Sequence, residues 1–279
     1  MFENNPFAGI STSISPALMQ GYVILMIVLV VAGTLFDVVH KGSARYFFEN
    51  LRKTKSKGER SVGGGEMAAL AIKTGVVDVL ASGEFCNPRR RIAHLLTMYG
   101  FVMYLITTLV MVFSYPTGAV GTPLLVTALW WIGALMVCVG GYWFWFFIRV
   151  DVAAEGRSPW RLMRADLFVL SLLSSVTLGL VWGALQFAGS AWATLFFGLY
   201  ILATTVLFAG VPWSKFAHMF FKPAAAFEKR LSNANGSAAN LPTQTRDDPE
   251  QQQAHSMELL RNAPMNMGLG IKREAPRHY

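Results

Sequence analysis

Five long stretches of this chain contain no Asp, Glu, Lys or Arg, and they constrain its fold more than any other feature. They are residues 17–36, 95–123, 124–148, 167–187 and 189–214. A helix needs about 20 apolar residues to cross the hydrocarbon core of a bilayer, and a segment in lipid must satisfy its own backbone hydrogen bonds. Only 14% of the residues are charged, against about 25% in soluble domains. The sequence therefore predicts an all-α integral membrane protein with a bundle of five transmembrane helices.

The predicted segments follow from these stretches. An N-terminal segment covers residues 1–16, the first transmembrane helix 17–40, and a basic loop with short helices 41–93. Four more transmembrane helices fill residues 94–223, at about 94–115, 122–148, 165–187 and 190–218. Residues 224–279 form a tail rich in Asn, Gln, Ser and Pro, which is predicted to be mostly disordered. Gly179 and Gly183, four residues apart, predict close packing between helices.

The basic residues predict the orientation of the helices. Lys and Arg cluster between the first and second stretches, between the third and fourth, and after the fifth, whereas the opposite connections carry none. The positive-inside rule then places the N-terminus outside, and the long basic loop and the C-terminal tail in the cytoplasm. The net charge of +8 is explained by this topology and by contact with anionic lipids, so no nucleic-acid partner is predicted.

Two further features narrow the class of protein. Cys86 and Cys138 are too few to hold an iron–sulfur cluster, so both are predicted to be free thiols. The five stretches contain no Asp, Glu or Arg expected to be buried, and no inverted repeat is visible. A transporter is therefore disfavoured.

Three histidines fall at the ends of predicted spans on the predicted cytoplasmic side: His40, His94 and His218. A histidine at such a depth is either an interfacial helix end or part of a functional site. His94 and His218 lie on different helices and suit axial ligation of the iron of one haem b. His40 is an alternative ligand, a proton acceptor at a quinone, or a helix end.

Basic residues next to these histidines suit the haem propionates. Arg90, Arg91 and Lys215 are predicted to pair with them through charge-assisted hydrogen bonds, although ordinary positive-inside charge explains them equally well. Two haems with histidine pairs would need four histidines, and only three lie near the membrane. The chain is therefore expected to hold one haem b at most.

The stretches "SGEFCNPRRRIAHLLTMYGF" and "PWSKFAHMFFKP" resemble the membrane subunits of quinone-interacting oxidoreductase complexes in sulfur metabolism, within the nitrate-reductase gamma-like b-cytochrome family. The stretch "FDVVHKGSARYFFENLRK" is most similar to the membrane anchor of dissimilatory adenylylsulfate reductase. The resemblance covers residues 17–230. Members with two haems carry more membrane histidines than this chain.

The resemblance implies a subunit in the bacterial inner membrane that links a cytoplasmic iron–sulfur flavoprotein to the quinone pool. That enzyme oxidises AMP plus sulfite to adenylylsulfate, and its electrons pass to quinone through the membrane subunit, with His94 and His218 at the family's histidine positions. The chain is then one subunit of an oxidoreductase complex and not a self-contained enzyme. The alternative is a cofactor-free anchor for the same kind of soluble reductase.

Overall fold

The computed structural model describes residues 4–40, 43–83, 85, 87–150, 156–214 and 218–237. These residues are 78% helical and contain no strand. The helices are α1 (Pro6–Ile10), α2 (Pro16–His40), α3 (Ser43–Ser56), α4 (Gly64–Lys73), α5 (Pro88–Ser114), α6 (Leu124–Trp143), α7 (Leu167–Phe187), α8 (Ala193–Ala209) and α9 (His218–Ala234). A π-helical segment, Thr74–Leu80, continues α4, and another, Phe144–Ile148, continues α6. The all-α prediction is confirmed for this part of the chain.

In the described part of the chain, four helical segments are long and apolar enough to cross a membrane: Pro16–His40, Pro88–Ser114, Leu124–Ile148 and Arg164–Phe187. Each has 24 to 27 residues, and about 20 suffice to span the hydrocarbon core. The chain is therefore a multi-pass membrane protein.

The fifth apolar segment is shorter than the predicted helix 190–218. Helix α8 ends at Ala209 after 17 residues, and a 3₁₀ turn at Val211–Trp213 follows it. Pro212 explains the break, because proline has no backbone N–H and disfavours helical geometry in the residue before it. A new helix, α9, then begins at His218 and runs to Ala234, through the boundary at which the tail was predicted to start.

Helix α5 begins at Pro88, six residues before the predicted start at residue 94. The Asn87 side chain accepts hydrogen bonds from the backbone N–H groups of Arg89 and Arg90, at 2.9 and 3.3 Å. Asn is a favoured helix cap, and proline at the first helical position needs no partner for its nitrogen. As a result His94 lies in the second turn of α5 and not at its start.

The described chain separates into two compact units. Unit 1 comprises the described residues within 1–50, 95–141 and 163–224, and unit 2 comprises those within 51–94, 142–162 and 225–237.

In unit 1, helices α5 and α6 approach each other closely at two glycines. A Cβ added to Gly100 would lie 2.7 Å from the carbonyl oxygen of Gly133, and one added to Gly133 would lie 2.8 Å from the backbone nitrogen of Tyr104. The two backbones are therefore in direct contact, as small residues allow in membrane helices. Gly179 instead makes room for aromatic side chains, because a Cβ added there would collide with the hydroxyl of Tyr104 and approach the ring of Tyr200.

The N-terminal segment is packed into unit 1 through α1. Asn5 caps the helix by accepting from the N–H groups of Phe7 and Ala8, and its amide donates to the carbonyl oxygen of Tyr115 at 2.9 Å. The Phe7 ring packs edge-on against Trp182, with 5.0 Å between the ring centroids. Burial of Phe7 (5% exposed) fixes this segment in the core.

In unit 2, polar contacts join α3, α4 and the end of α9. The Asn235 amide donates to the carbonyl oxygen of Thr54 at 2.8 Å. The guanidinium of Arg60 donates to the carbonyl oxygen of Ala234 at 2.7 Å and to the Glu66 carboxylate at 2.9 Å. Loop residues thus satisfy carbonyl groups that would otherwise lack partners at the end of α9.

Three charged side chains are buried among the described residues. Asp37 and Asp166, the latter 7% exposed, lie within the predicted transmembrane helices 17–40 and 165–187, contrary to the expectation that the spans hold no buried charge, whereas Arg149 follows the predicted helix 122–148. Asp37, one turn before the end of α2, is 3% exposed, and Arg149, directly after the π segment that continues α6, is 0% exposed. Arg149 stacks on the Trp145 ring at 4.0 Å and donates to the carbonyl oxygens of Ser158 and Arg161 at 3.2 and 2.9 Å. Arg149 therefore holds the connection between α6 and α7 in place.

Candidate functional site around His94

The His94 side chain is half-buried and shares a hydrogen bond with Ser82. The distance from Ser82 Oγ to His94 Nδ1 is 2.9 Å, and Ser82 is only 1% exposed. A hydrogen bond to one ring nitrogen fixes the orientation of an imidazole, and because a serine hydroxyl can donate or accept, this bond suits either tautomer.

Ser82 adopts a backbone conformation that is uncommon for a residue with a side chain. Its φ is 49°, in the left-handed region, and it follows the π-helical segment that ends at Leu80. The next residue, Gly83, donates its N–H to the carbonyl oxygen of Val77 at 2.7 Å, which closes the turn. Such strain persists only where the surrounding contacts enforce it, and it is frequent at functional sites.

An aromatic ring and an arginine complete the surroundings of the imidazole. The Phe85 ring lies 4.9 Å from the His94 ring, measured between centroids, and the Arg90 guanidinium lies over the Phe85 ring, 5.5 Å from its centroid. Arg91 donates its Nε–H to the carbonyl oxygen of Ala81 at 2.8 Å. Both arginines predicted to pair with haem propionates thus help to hold Ala81 and Phe85 near the start of α5.

This arrangement fits a metal-ligating histidine. A ligating histidine usually donates its second ring N–H to an oxygen, which orients the ring and makes the ligating nitrogen more basic. If Nδ1–H donates to Ser82 Oγ, iron would coordinate through Nε2. Within the residues that the structure describes, no group of three His, Cys, Asp or Glu side chains could hold a metal ion.

The other predicted site residues lie elsewhere or outside the described part. His40 ends α2 and stacks on Phe36, with 5.1 Å between ring centroids and 10° between ring planes. His218 is the first residue of α9, but its side chain lies outside the described residues, as do Lys215 and Cys86. His94 belongs to unit 2, whereas His40 and His218 belong to unit 1. Cys138 is a free thiol, as predicted, with its sulfur 3.7 Å from Thr177 Oγ1.

Residues Ser82 and Asp37 were not predicted as site residues. The "ASG" sequence after the apolar stretch marks a turn, but it does not show that the hydroxyl reaches a histidine twelve residues later. Asp37 is visible in the sequence as a charge near the end of a span, and only its packing shows that it is buried.

Comparison with known proteins identified no relative. No family model matches the chain, and no match was found among characterised proteins or solved structures.

Proposed function

We propose that this chain is the membrane subunit that links a cytoplasmic iron–sulfur flavoprotein, dissimilatory adenylylsulfate reductase, to the quinone pool. It lies in the bacterial inner membrane with five spans, α8 being the fifth, its N-terminus outside and its basic loop and tail in the cytoplasm. At 17 residues, α8 is at the lower limit of length for a span. The chain works as one part of an oxidoreductase complex.

One observation carries this proposal, namely the hydrogen bond that holds His94 at Ser82. An interfacial histidine that serves only as an anchor needs no buried oxygen at Nδ1 and no strained residue to supply it. A ligand to iron benefits from both, because its orientation and basicity set how tightly it binds. His94 is therefore one axial ligand of a single haem b, and the sequence pattern supplies His218 as the second.

Haem b would supply one-electron transfer between the soluble enzyme and quinone. The chain's own residues hold the ligand: Ser82 orients the imidazole, Phe85 packs against it at a tilt, and Arg91 ties the turn to α5. The positive charges at this end of α5 also suit the propionates of a haem.

The test is an optical spectrum of the purified protein. The full-length chain is co-expressed with its reductase under haem-replete conditions and purified in mild detergent. Dithionite-reduced minus oxidised spectra and pyridine haemochrome quantitation should give about one haem b per chain. His94→Ala and His218→Ala should each lose it, whereas His255→Ala, in the predicted tail, should not. Protein without haem under these conditions contradicts the ligation.

A second candidate function is a cofactor-free anchor for the same reductase. The basic residues of α3 in unit 2 favour it, because Arg52 and Lys53 are exposed and their positive charge can attract an acidic partner. In this case the histidine variants would bind the reductase as the wild-type protein does.

Charge reversal on α3 tests the anchor. Proteoliposomes containing Arg52→Glu/Lys53→Glu should bind purified adenylylsulfate reductase at least tenfold more weakly than wild-type vesicles. Arg161→Glu/Arg164→Glu makes the same change of charge on exposed residues between α6 and α7 and serves as the matched control. Equal losses in both variants would assign the effect to net charge and not to α3.

A further inference from the structure

Residues 158–161, in the connection between α6 and α7, form a turn that carries an almost fully exposed tryptophan. Trp160 is 86% exposed, and Leu162, two residues later, is 65% exposed. Tryptophan is highly buried on average in proteins, so its exposure on this turn, which we call the Trp160 turn, calls for a partner that can cover the ring.

The backbone of the Trp160 turn is held firmly in place. The N–H of Arg161 donates to the carbonyl oxygen of Ser158 at 3.1 Å, and Pro159 occupies the second position of the turn, where its fixed φ is favoured. The guanidinium of Arg149, which is buried, donates to the carbonyl oxygens of the same two residues, Ser158 and Arg161. Arg149 therefore clamps the inner side of the turn and leaves the Trp160 ring on the outside.

The same arginine sets the depth of the turn in the membrane. The segment Leu124–Ile148 has 25 residues, which is about 37 Å at about 1.5 Å per residue, against about 30 Å for the hydrocarbon core. When this segment is centred in the bilayer, Trp145, three residues before its end, lies at the edge of the core. The Arg149 guanidinium stacks on the Trp145 ring at 4.0 Å. The turn that it clamps thus lies in the headgroup region, which is about 5–8 Å thick on each side.

The composition of the turn suits this region. Tryptophan is enriched at membrane interfaces because its ring is apolar and its indole N–H can bond to water or headgroups. Leu162 adds an apolar side chain, and Arg161 is exposed, so its guanidinium can donate to lipid phosphate oxygens while its stem lies along the acyl chains. Arg157 and Arg164 add positive charge nearby in the chain, and no acidic residue lies between them. This charge favours anionic lipids.

We propose that the Trp160 turn binds the anionic phospholipids of the adjoining leaflet, with Trp160 and Leu162 inserted between the lipids and Arg161 bound to a phosphate. Arg149 is a positioning residue that holds the turn at the depth of the headgroups. An exposed tryptophan beside an arginine also suits a protein partner. The lipid is favoured because the turn is clamped to the end of one span and the next span begins at Arg164. The proposal does not depend on haem, quinone or the reductase.

The fluorescence of Trp160 tests the contact directly. Full-length wild-type protein and Trp160→Phe are reconstituted into vesicles of phosphatidylcholine and phosphatidylglycerol, and the difference between their emission spectra gives the emission of Trp160. Phosphatidylglycerol with brominated acyl chains should quench this emission, whereas acrylamide, a neutral quencher in the water, should quench it weakly. Emission that acrylamide quenches fully and brominated lipid leaves unchanged places the ring in water, where a protein partner would reach it, and overturns the proposal.

Trp192 provides a matched control for the choice of lipid. It is 63% exposed and lies between α7 and α8, in a connection without Lys or Arg. Half-maximal quenching of Trp160 should need about fivefold less brominated phosphatidylglycerol than brominated phosphatidylcholine, whereas Trp192, measured against Trp192→Phe, should respond equally to both. Arg161→Gln should reduce the preference of Trp160 at least twofold. An equal response of Trp160 to the two lipids in the wild-type protein overturns the assignment to anionic lipids.

Arg149→Gln tests the positioning role. Without the clamp, the emission of Trp160, measured against Arg149→Gln/Trp160→Phe, should shift to longer wavelength and become more accessible to acrylamide. Arg149→Lys should restore little, because an ammonium lacks the fixed fork that reaches both carbonyl oxygens. Folded Arg149→Gln with wild-type emission of Trp160 excludes this role. The comparison of wild type with Trp160→Phe does not require these variants to fold, so it decides the lipid contact in either case.

Discussion

The ion pair between Asp78 and Arg230 offers the sharpest test of how unit 2 is held together. Arg230 Nε and Nη2 donate to the two carboxylate oxygens of Asp78 at 2.5 and 2.7 Å. The side chains are 9% and 23% exposed. Exposed pairs contribute about 0.2–1 kcal/mol, whereas removing one partner of a buried pair costs about 3–5 kcal/mol. Because this pair is bidentate and mostly buried, we expect each single removal to cost about 2 kcal/mol.

A double-mutant cycle measures the coupling between the two side chains. Arg230→Gln and Asp78→Asn should each lower the Tm in mild detergent by about 4–8 °C, since about 1 kcal/mol corresponds to about 2–4 °C in a chain of this size. The double variant should lose less than the sum of the singles, with a coupling free energy of at least about 1 kcal/mol. Lys229→Gln, at the exposed neighbouring position, should leave the Tm unchanged. Strictly additive losses would refute the reasoning, because the pair would then contribute nothing as a pair.

Three further predictions concern other contacts. Gly100→Ala should destabilise the protein by about 1–3 kcal/mol, because its Cβ would lie 2.7 Å from a backbone oxygen of α6; an unchanged Tm would show that the helices can separate at no cost. Ser82→Ala should weaken haem retention about 10–100-fold and shift the ¹⁵N resonances of His94, and unchanged resonances would exclude the hydrogen bond. The Arg60 guanidinium lowers the pKa of the Glu66 carboxyl. This pair therefore stabilises unit 2 above the unfolded pKa of about 4.3 and loses its contribution as the pH falls through the lower folded value; a carboxyl titration midpoint at or above about 4.3 would contradict the pairing.

Apolar length predicted the long helices because a bilayer leaves the chain little choice there. Helix ends were predicted less well, since hydropathy shows where the lipid-facing part ends and not where the backbone stops being helical. Helix α5 continues beyond the apolar stretch through three consecutive arginines, because Asn87 and Pro88 supply a good start one turn and a half earlier. At the other extreme, Pro212 stops α8 inside an apolar run.

Packing partners could not be predicted from the spacing of small residues. Gly179 and Gly183 have the spacing typical of a close helix crossing. In the structure they give room to aromatic side chains, Tyr104 and Tyr200 at one and Trp131 at the other. The close approach of α5 to α6 uses one glycine on each helix, Gly100 and Gly133, and no pattern within either helix indicates it. Which face meets which neighbour is a property of the three-dimensional arrangement.

The same limit explains why histidines were predicted as candidates and their partners were not. A histidine near the end of a span can be identified from the sequence alone. The oxygen that orients it comes from a turn, and the geometry of that turn depends on a π-helical segment and on Arg91. Asp37 and Tyr104 are ordinary residues in the sequence, and their interest arises from burial.

Haem content separates the two possible roles of the chain. Iron held at His94 would carry an electron, so haem in the purified protein supports a subunit that passes electrons toward quinone. Protein that lacks haem and still binds the reductase supports an anchor, and the last electron-carrying group then belongs to the soluble reductase. His94→Ala removes the proposed iron ligand, whereas Arg52→Glu/Lys53→Glu changes only the charge on α3. The two variants therefore distinguish these roles in the same preparation.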